Sequence, residues 1–347
     1  MLLAALLLSG CADTGYLLQS AVGHVKLLQA ARPIDDWVAD PQTPEPLRLR
    51  LQLAQRMRSF AVAELHLPDN NSYHRYADLH RSAAVWNVVA APAFSLTLQT
   101  WCFPVTGCIG YRGYFAEADA RSLAQNLAAQ GLETTVYGVP AYSTLGWMNW
   151  AGGDPLLNTF IFQPEGELAR LLFHELAHQL VYAQDDTAFN ESFATAVERL
   201  GGARWLAEQS TDAARSEYAA YDTRRRAFQA LLLATRQRLA ALYKQEVPET
   251  GPTEAQIATK NEVMQRFKSD YAALKVSWGG YAGYDRFVGQ ANNASFGVQA
   301  AYDGLVPGFE ALFRRSGADW QAFYREVRRL AELPKEKRHA ALQVPPQ

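Results

Sequence analysis

The chain has 347 residues, of which 49% are hydrophobic and 20% are charged, a composition that can build a large core and excludes extensive disorder. Its 33 Lys and Arg against 35 Asp and Glu give a formal net charge of −2, which argues against nucleic acid as the main partner. Three cysteines are too few for a disulfide-rich scaffold or a site with four thiolate ligands.

The chain begins with a candidate secretion signal. The apolar run Leu2–Leu8 leads into Leu8-Ser9-Gly10-Cys11, which resembles the end of a bacterial lipoprotein signal. The resemblance implies that residues 1–10 are removed and that Cys11 carries a lipid, which places the protein in the cell envelope, at the outer membrane facing the periplasm. No Lys or Arg precedes the run, so a start inside a longer signal and a fortuitous apolar end both stay open.

Two later features bear on the compartment. The best candidate for a membrane span, Ala83–Leu98, is interrupted by Asn87 and Pro92, so we expect attachment to the membrane through the lipid alone. In an oxidising compartment Cys102 and Cys108 can form a disulfide that closes a small loop. Two free buried thiols are the alternative.

The part of the chain before Pro164 contains all of the predicted strands. Amphipathic periodicity predicts helices over Pro46–Leu65 and Glu117–Gln130. Alternating or β-branched residues predict strands over Phe94–Trp101, Thr134–Val139 and, more briefly, Phe160–Phe162.

After Pro164 the pattern is helical. Paired helices are predicted over Glu165–Ala183 and Thr187–Leu200, with Gly201-Gly202 ending the second. A long charged helix over Thr211–Gln245 and another from a capping box at Thr253 to about Leu274 suggest an antiparallel helical hairpin, and two further helical segments close the chain.

These elements predict an α+β, mainly helical fold with a small β-sheet and a long helical hairpin in the C-terminal half. We expect residues 11–347 to form one unit. Within it, residues 12–205 carry the sheet and the site described next, and residues 206–347 form a helical subdomain.

The segment with the clearest chemistry is His174-Glu175-Leu176-Ala177-His178, in the first of the paired helices. Residues four apart share a helix face, so both histidines can bind a single ion. From its place on the helix, the carboxylate of Glu175 can reach a water on that ion without binding the ion itself. The pattern predicts one Zn²⁺ per chain, with Glu175 as general base. The alternative is an ordinary buried helix whose histidines bond to local carbonyls.

A catalytic zinc takes three protein ligands, and the next helix offers two candidates. Glu191 is placed where a helix-turn-helix would fold its carboxylate back onto both histidines. Glu198, two turns further along the same face, is the rival, although we expect it to orient a histidine instead. Two histidines and a glutamate form the ligand set of thermolysin-type enzymes.

Several other blocks precede the zinc motif in the order Pro68–Tyr73, Val85–Val88, Trp101–Cys108, Tyr111–Phe115 and Ala141–Trp147. Together with the motif they resemble the zinc aminopeptidase family found as predicted lipoproteins in proteobacteria, over nearly the whole mature chain. The context Asn190-Glu191-Ser192-Phe193-Ala194 resembles the third-ligand segment of gluzincin aminopeptidases. The resemblance implies a gluzincin-like zinc core in which His174, His178 and Glu191 bind the metal and Glu175 is catalytic.

The sequence departs from better-known relatives in two places. Only 12 residues separate His178 from Glu191, so the connecting turn must be tight. Thr195 stands where thermolysin-type enzymes have an Asp that orients a histidine. Glu198 or another carboxylate is therefore expected to take that role.

A peptidase also needs a donor for the developing oxyanion, and tyrosine is a common one. Tyr281, Tyr284 and Tyr302 are candidates, with Tyr302 weakly preferred, although for each one alone a core or surface tyrosine is the stronger alternative. The segment Ala141–Trp147 could pair with a peptide backbone as an edge strand, or be an ordinary buried strand.

We therefore predict a zinc-dependent metallopeptidase, an aminopeptidase, that acts on peptide substrates and has no nucleic-acid partner and no obligate protein partner. No spacing identifies a carboxylate for the substrate ammonium group, so the prediction of an aminopeptidase over an endopeptidase rests on the resemblance. Two alternatives remain. One is a catalytically silent envelope lipoprotein that keeps a zinc site as a binding or scaffold module, and the other is a zinc hydrolase of non-peptide amide bonds.

Overall fold

The computed structural model describes residues 2–103, 107–141, 152–244, 251–298 and 304–343, with side chains from residue 15 onward apart from those of residues 17 and 103. Over these ranges the chain is α+β and mainly helical, as predicted. None of the helices found there is long and apolar enough to cross a membrane.

The helices of the described ranges dominate the second half of the chain. In order they are α1 (Leu2–Ala30), α2 (Ile34–Ala39), α3 (Glu45–Ala63), α4 (Glu117–Ala128), α5 (Glu165–His178), α6 (Thr187–Gln209), α7 (Asp212–Tyr243), α8 (Glu254–Ser277), α9 (Asp285–Gln290), α10 (Asn293–Val298), α11 (Val306–Arg315), α12 (Trp320–Ala331) and α13 (Lys335–Leu342).

The strands are short, apart from two. They are β1 (Arg32–Pro33), β2 (Arg75–Ala77), β3 (Val85–Pro92), β4 (Trp101–Phe103), β5 (Gly107–Ile109), β6 (Arg112–Tyr114), β7 (Leu132–Val139) and β8 (Leu156–Leu157). They form one sheet in the order β1-β2-β8, a second in the order β6-β3-β7, and the hairpin β4-β5.

Strand β3 is the centre of the second sheet and is covered on both faces. It pairs antiparallel with β7 along its whole length, from Val85 opposite Val139 to Pro92 opposite Leu132. One face packs on α4, and the other carries Val89 and Ala91 against Ala294 of α10. A strand covered on both sides reads as a continuous apolar run, without the alternation that marks a half-buried strand.

The strand predicted over Phe94–Trp101 is therefore wrong over most of its length. The N–H of Ser95 donates to the carbonyl of Pro92 at 3.1 Å, and the N–H of Thr97 donates to Oγ of Ser95 at 3.0 Å. This turn chemistry ends β3 and leads through irregular chain to β4 at Trp101.

The strand predicted over Phe160–Phe162 is also wrong. The N–H groups of Phe160 and Ile161 donate to the carbonyl of Leu157 at 3.2 and 3.0 Å, which makes a turn between β8 and α5. Phe160 and Ile161 are 2% and 0% exposed, so they are apolar because they fill the core.

Helices α5 and α6 lie at the centre of the largest core, together with residues from α3, α11 and α12. Helix α5 starts at the predicted residue but ends at His178, five residues before the predicted Ala183. Helix α6 runs through Gly201-Gly202 to Gln209, so the predicted stop is wrong. A Cβ at Gly201 would lie 2.6 Å from Cδ1 of Leu65, which shows that these glycines allow close packing.

Helices α7 and α8 form the predicted hairpin. The capping box at Thr253 is confirmed, with Gln256 as its second member. The two helices enclose a separate aromatic cluster that includes Phe228, Phe267 and Tyr271. Five short helices, α9 to α13, follow in the described residues where the sequence predicted two.

Candidate metal centre

Helix α5 turns both histidines of the motif toward α6. Its opposite side is fixed in the core by side chains that are 0% exposed, namely Leu168, Leu172, Phe173 and Leu176. Their spacing sets the rotation of the helix. His174 and His178, one turn apart, then share the remaining face, with side chains that are 18% and 7% exposed.

Side-chain to backbone bonds fix the tight turn between α5 and α6. Oδ1 of Asn190 accepts from the N–H of Ala183 at 2.7 Å, and Nδ2 of Asn190 donates to the carbonyl of Ala183 at 2.8 Å. Asp186 caps α6 by accepting from the N–H of Phe189 at 3.2 Å. Because Asn190 directly precedes Glu191, these bonds set where Glu191 meets α5.

Three side chains converge at this point. The Nε2 atoms of His174 and His178 are 3.1 Å apart, and Oε2 of Glu191 lies 3.4 Å from the first and 3.6 Å from the second. Burial alone would raise the pKa of Glu191, but hydrogen bonds from the two imidazoles hold that pKa far below its usual range. Among the described residues, these three make up a group that could hold a metal ion.

The triangle of ligand atoms has the size that a tetrahedral ion needs. Bonds of about 2.0–2.2 Å to nitrogen and oxygen place neighbouring ligand atoms about 3.3–3.5 Å apart. The observed separations of 3.1, 3.4 and 3.6 Å bracket that range. Two neutral imidazoles and one carboxylate would leave a divalent ion with net positive charge. The residues therefore fit a metal.

Glu198 takes the position predicted for a group that orients a histidine. Its Oε2 lies 3.0 Å from Nδ1 of His174, on the side of the ring away from Glu191, although the ring N–H points obliquely to that oxygen. Its Oε1 accepts from Nη2 of Arg170. Glu191 thus faces the metal side of His174, and Glu198 faces the other side.

Glu175 lies between the two histidines on α5 and is partly buried. Burial raises its pKa, the neighbouring His174 and His178 lower it, and the carboxylates of Glu191 and Asp154 raise it again, with a net rise. A carboxylate whose pKa is raised toward neutrality is suited to accept and return a proton.

The chain also matches a known protein family. The family model described as "Putative aminopeptidase" matches residues 15–342. The chain belongs to this family. No curated protein and no solved structure matches the chain. The matched residues of this aminopeptidase family member include all of the converging side chains.

Two tyrosines of this family member that were not among the predicted oxyanion donors have pKa values that burial and the charge of Glu191 raise. Burial raises the pKa of Tyr111, and the charge of Glu191 adds to the rise. Burial, with the charges of Asp185 and Glu191, raises the pKa of Tyr182. Tyr111 lies between β5 and β6 and Tyr182 in the turn after α5, and they are 37% and 46% exposed. In the sequence, Tyr111 begins the quoted block Tyr111–Phe115, and Tyr182 lies four residues after His178.

Of the predicted oxyanion donors, Tyr281 and Tyr284 pack in the aromatic cluster of the α7–α8 hairpin, where Tyr284 stacks on Phe228. Tyr302 lies outside the described residues, as does the segment Ala141–Trp147 after its first residue. The side chain of Cys11 is likewise outside the described part, although its backbone belongs to α1.

The remaining two cysteines form a disulfide. Cys102 and Cys108 face each other across the β4-β5 hairpin, with their Cα atoms 3.9 Å apart. A Cβ at Gly107, next to this bridge, would lie 2.3 Å from Oδ1 of Asp185. The hairpin therefore packs against the turn that precedes Glu191.

Proposed function

We propose that this chain is a zinc-dependent peptidase, and specifically an aminopeptidase, with a gluzincin-like core formed by α5, the tight turn and α6. The convergence of Nε2, Nε2 and Oε2 within 3.6 Å carries the proposal. Two histidines and a glutamate are the ligands of thermolysin-type zinc enzymes. Membership of the aminopeptidase family supports a peptide as substrate.

The chemistry divides between the ion and Glu175. A zinc ion held by His174, His178 and Glu191 would polarise the scissile carbonyl and lower the pKa of a water to about 7. The Glu175 carboxylate accepts the proton that the attacking water gives up. It then returns that proton to the nitrogen of the leaving amine as the peptide bond breaks, which leaves a new carboxyl group and a free amine.

A phenol hydroxyl would donate to the oxygen of the tetrahedral intermediate. Tyr111 and Tyr182 are our candidates within the described residues, because the charge of Glu191 reaches both. Tyr302 keeps the role that the sequence analysis gave it as a third candidate.

We also propose that the enzyme is attached to the cell envelope through a lipid on Cys11, facing the periplasm. The motif Leu8-Ser9-Gly10-Cys11 supports the anchor. The disulfide between Cys102 and Cys108 supports an oxidising compartment, where such bonds persist.

The test begins with the metal. The purified chain is expected to contain about one zinc per molecule. It should hydrolyse fluorogenic aminoacyl substrates until a chelator is added, and acetylated substrates should resist cleavage. His174→Ala is expected to lose both metal and turnover, because one ligand is removed.

The variant Glu175→Gln tests the general base without removing a metal ligand. It should keep the metal and lose turnover by about 10²–10⁴-fold, the usual contribution of a general base. Glu326→Gln, on the exposed face of α12, is the control and should change neither. A chain without metal would overturn the whole proposal, and full activity in Glu175→Gln would refute the assignment of the base. A metal-loaded chain that cleaves none of the substrates would indicate the silent lipoprotein instead.

A further inference from the structure

Arg170 is a buried cation one turn before the first histidine of the motif. Its side chain is 5% exposed, and its guanidinium makes three contacts. Nη2 donates to Oε1 of Glu198, and Nη1 donates to Oε1 of Glu167 at 3.1 Å and to the hydroxyl of Tyr218 at 3.2 Å. Helix α5 thereby joins α6 and α7 through one side chain.

This contact continues to the candidate metal ligand. The two oxygens of Glu198 are divided between Arg170 and Nδ1 of His174, the latter at 3.0 Å. The hydrogen bond from Arg170 holds one oxygen of Glu198, and this places the other oxygen within 3.0 Å of the His174 ring. A series of side-chain contacts therefore begins at Tyr218 of α7 and passes through Arg170 and Glu198. It ends at the ring of His174, whose Nε2 faces Glu191.

Two glycines leave room for the side chains of Arg170 and Tyr218 in this series of contacts. A Cβ at Gly202 of α6 would lie 2.6 Å from Cγ of Arg170, and one at Gly166 of α5 would lie 2.3 Å from Cδ2 of Tyr218. Glycine is a poor residue for a helix interior, so its presence at position 202, inside α6, requires a packing reason. The side chains of Arg170 and Tyr218 occupy the space that a Cβ would take at positions 202 and 166.

We propose that Arg170, supported by Tyr218, is a positioning residue of the metal centre. It fixes Glu198, and Glu198 in turn fixes the ring orientation and tautomer of His174, so that the Nε2 lone pair faces the ion. The inference rests on the proposed function, because it needs a metal at His174. It adds to that function a structural link between the metal ligand and the α7–α8 hairpin.

The sharpest test uses two adjacent glycines. Gly202→Ala places a methyl 2.6 Å from Cγ of Arg170, whereas Gly201→Ala places one 2.6 Å from Cδ1 of Leu65 and 3.1 Å from Cδ2 of Phe173. Both variants crowd the same helix interface, but only the first disturbs the arginine. Zinc affinity is measured by competition with a chromophoric chelator, and the visible spectrum of the Co²⁺-loaded protein reports ligand geometry.

Arg170→Met and Glu198→Gln are expected to weaken zinc binding by about 10–100-fold, the usual effect of losing a group that orients a ligand. Arg170→Lys should keep part of that affinity, since it retains the charge without the planar contact. Gly202→Ala should weaken binding and shift the Co²⁺ spectrum, whereas Gly201→Ala should leave both as in the parent.

If Arg170→Met does not fold, the comparison of Gly202→Ala with Gly201→Ala tests the role of Arg170. Equal zinc affinities and equal Co²⁺ spectra in Gly202→Ala, Gly201→Ala and the parent would overturn the role of Arg170 and leave the proposed function intact. A parent chain that binds no metal would overturn the proposed function and this inference with it.

Discussion

Three ionisable side chains are gathered at one partly buried point, where they would be costly to maintain without compensation. His174 and Glu191 compensate each other through opposite charge. Burial would lower the pKa of His174, but contacts with Glu191 and Glu198 raise it well above its ordinary value, while the pKa of Glu191 is depressed. These contacts offset part of the cost of burying the three groups together.

Replacing the bordering tyrosines distinguishes the oxyanion donor. Removing one such donor lowers kcat by about 10²–10³-fold with little change in KM, because the contact forms in the transition state. We expect this effect from either Tyr111→Phe or Tyr182→Phe, and near-parent kinetics from the other. The measurement is kcat and KM with aminoacyl substrates.

Tyr243→Phe serves as the control, since its hydroxyl donates to Asn293 at 2.7 Å in a separate part of the fold. Full kcat in both Tyr111→Phe and Tyr182→Phe would remove these residues from the mechanism. Tyr302 would then be the candidate that remains.

At the scale of elements, helix α13 holds the turn that positions Glu191. Asp186, which caps α6, is 1% exposed and lies 2.9 Å from Nε2 of His339, 3.6 Å from Nη1 of Arg338 and 3.9 Å from Nζ of Lys335. One carboxylate thus closes the turn and also docks the last described helix. Its loss would leave the buried Arg338 without its charge partner.

Asp186→Ala is expected to lower the free energy of unfolding by about 3–5 kcal/mol, the cost of breaking a buried pair from one side. Asp319→Ala is the matched control, because Asp319 caps α12 by accepting from the N–H of Ala322 at 2.6 Å at an exposed position. That variant loses a cap alone, which costs about 1 kcal/mol. Urea unfolding measures both, and equal losses would disprove the docking role of Asp186.

Local patterns predicted the elements whose signals lie within one segment. The start of α5, the bounds of α3 and the capping box of α8 all came from periodicity or cap residues. The histidine pair and Glu191 came together as predicted, since one helical turn and a short connection largely define their geometry. Strand β3 was missed because the cover on its second face, α10, comes some 200 residues later in the chain.

Contacts between distant parts of the chain also explain which features around the site could not be predicted from the sequence. Gly201-Gly202 has the composition of a helix stop, and only the packing of Leu65 and Arg170 reveals that it lies inside α6. The charge of Glu191 in α6 affects Tyr111, which lies between β5 and β6, and Tyr218 of α7 accepts a hydrogen bond from Arg170 of α5. Such contacts depend on tertiary packing, which no local pattern encodes.

At the scale of the whole molecule, both ends of the described chain contribute to the core behind the metal centre. Leu27 of α1 and Leu342 of α13 are each 2% exposed in the same cluster as α5 and α6. Helix α1 also carries His24, whose ring is partly buried. A change that weakens the packing of α1 should therefore lower the stability of this core.

His24 makes one contribution to the pH dependence of stability. Burial lowers the pKa of His24 below its ordinary value of 6.5, and the nearby charge of Asp154 only partly opposes this. Between the folded and unfolded pKa values the unfolded chain binds more protons, so stability rises with pH in that window. The contribution of His24 to the free energy of unfolding should accordingly become unfavourable as the pH drops below about 6.5.

His24→Gln should remove this contribution, because glutamine does not titrate, whatever the packing cost of the substitution. The comparison is the slope of unfolding free energy against pH, measured with urea at several values between neutral and mildly acidic. His80→Gln is the control, because the side chain of His80 is 87% exposed. This substitution should leave the slope unchanged. A parent slope that persists in His24→Gln would show that the acid sensitivity of the core arises elsewhere.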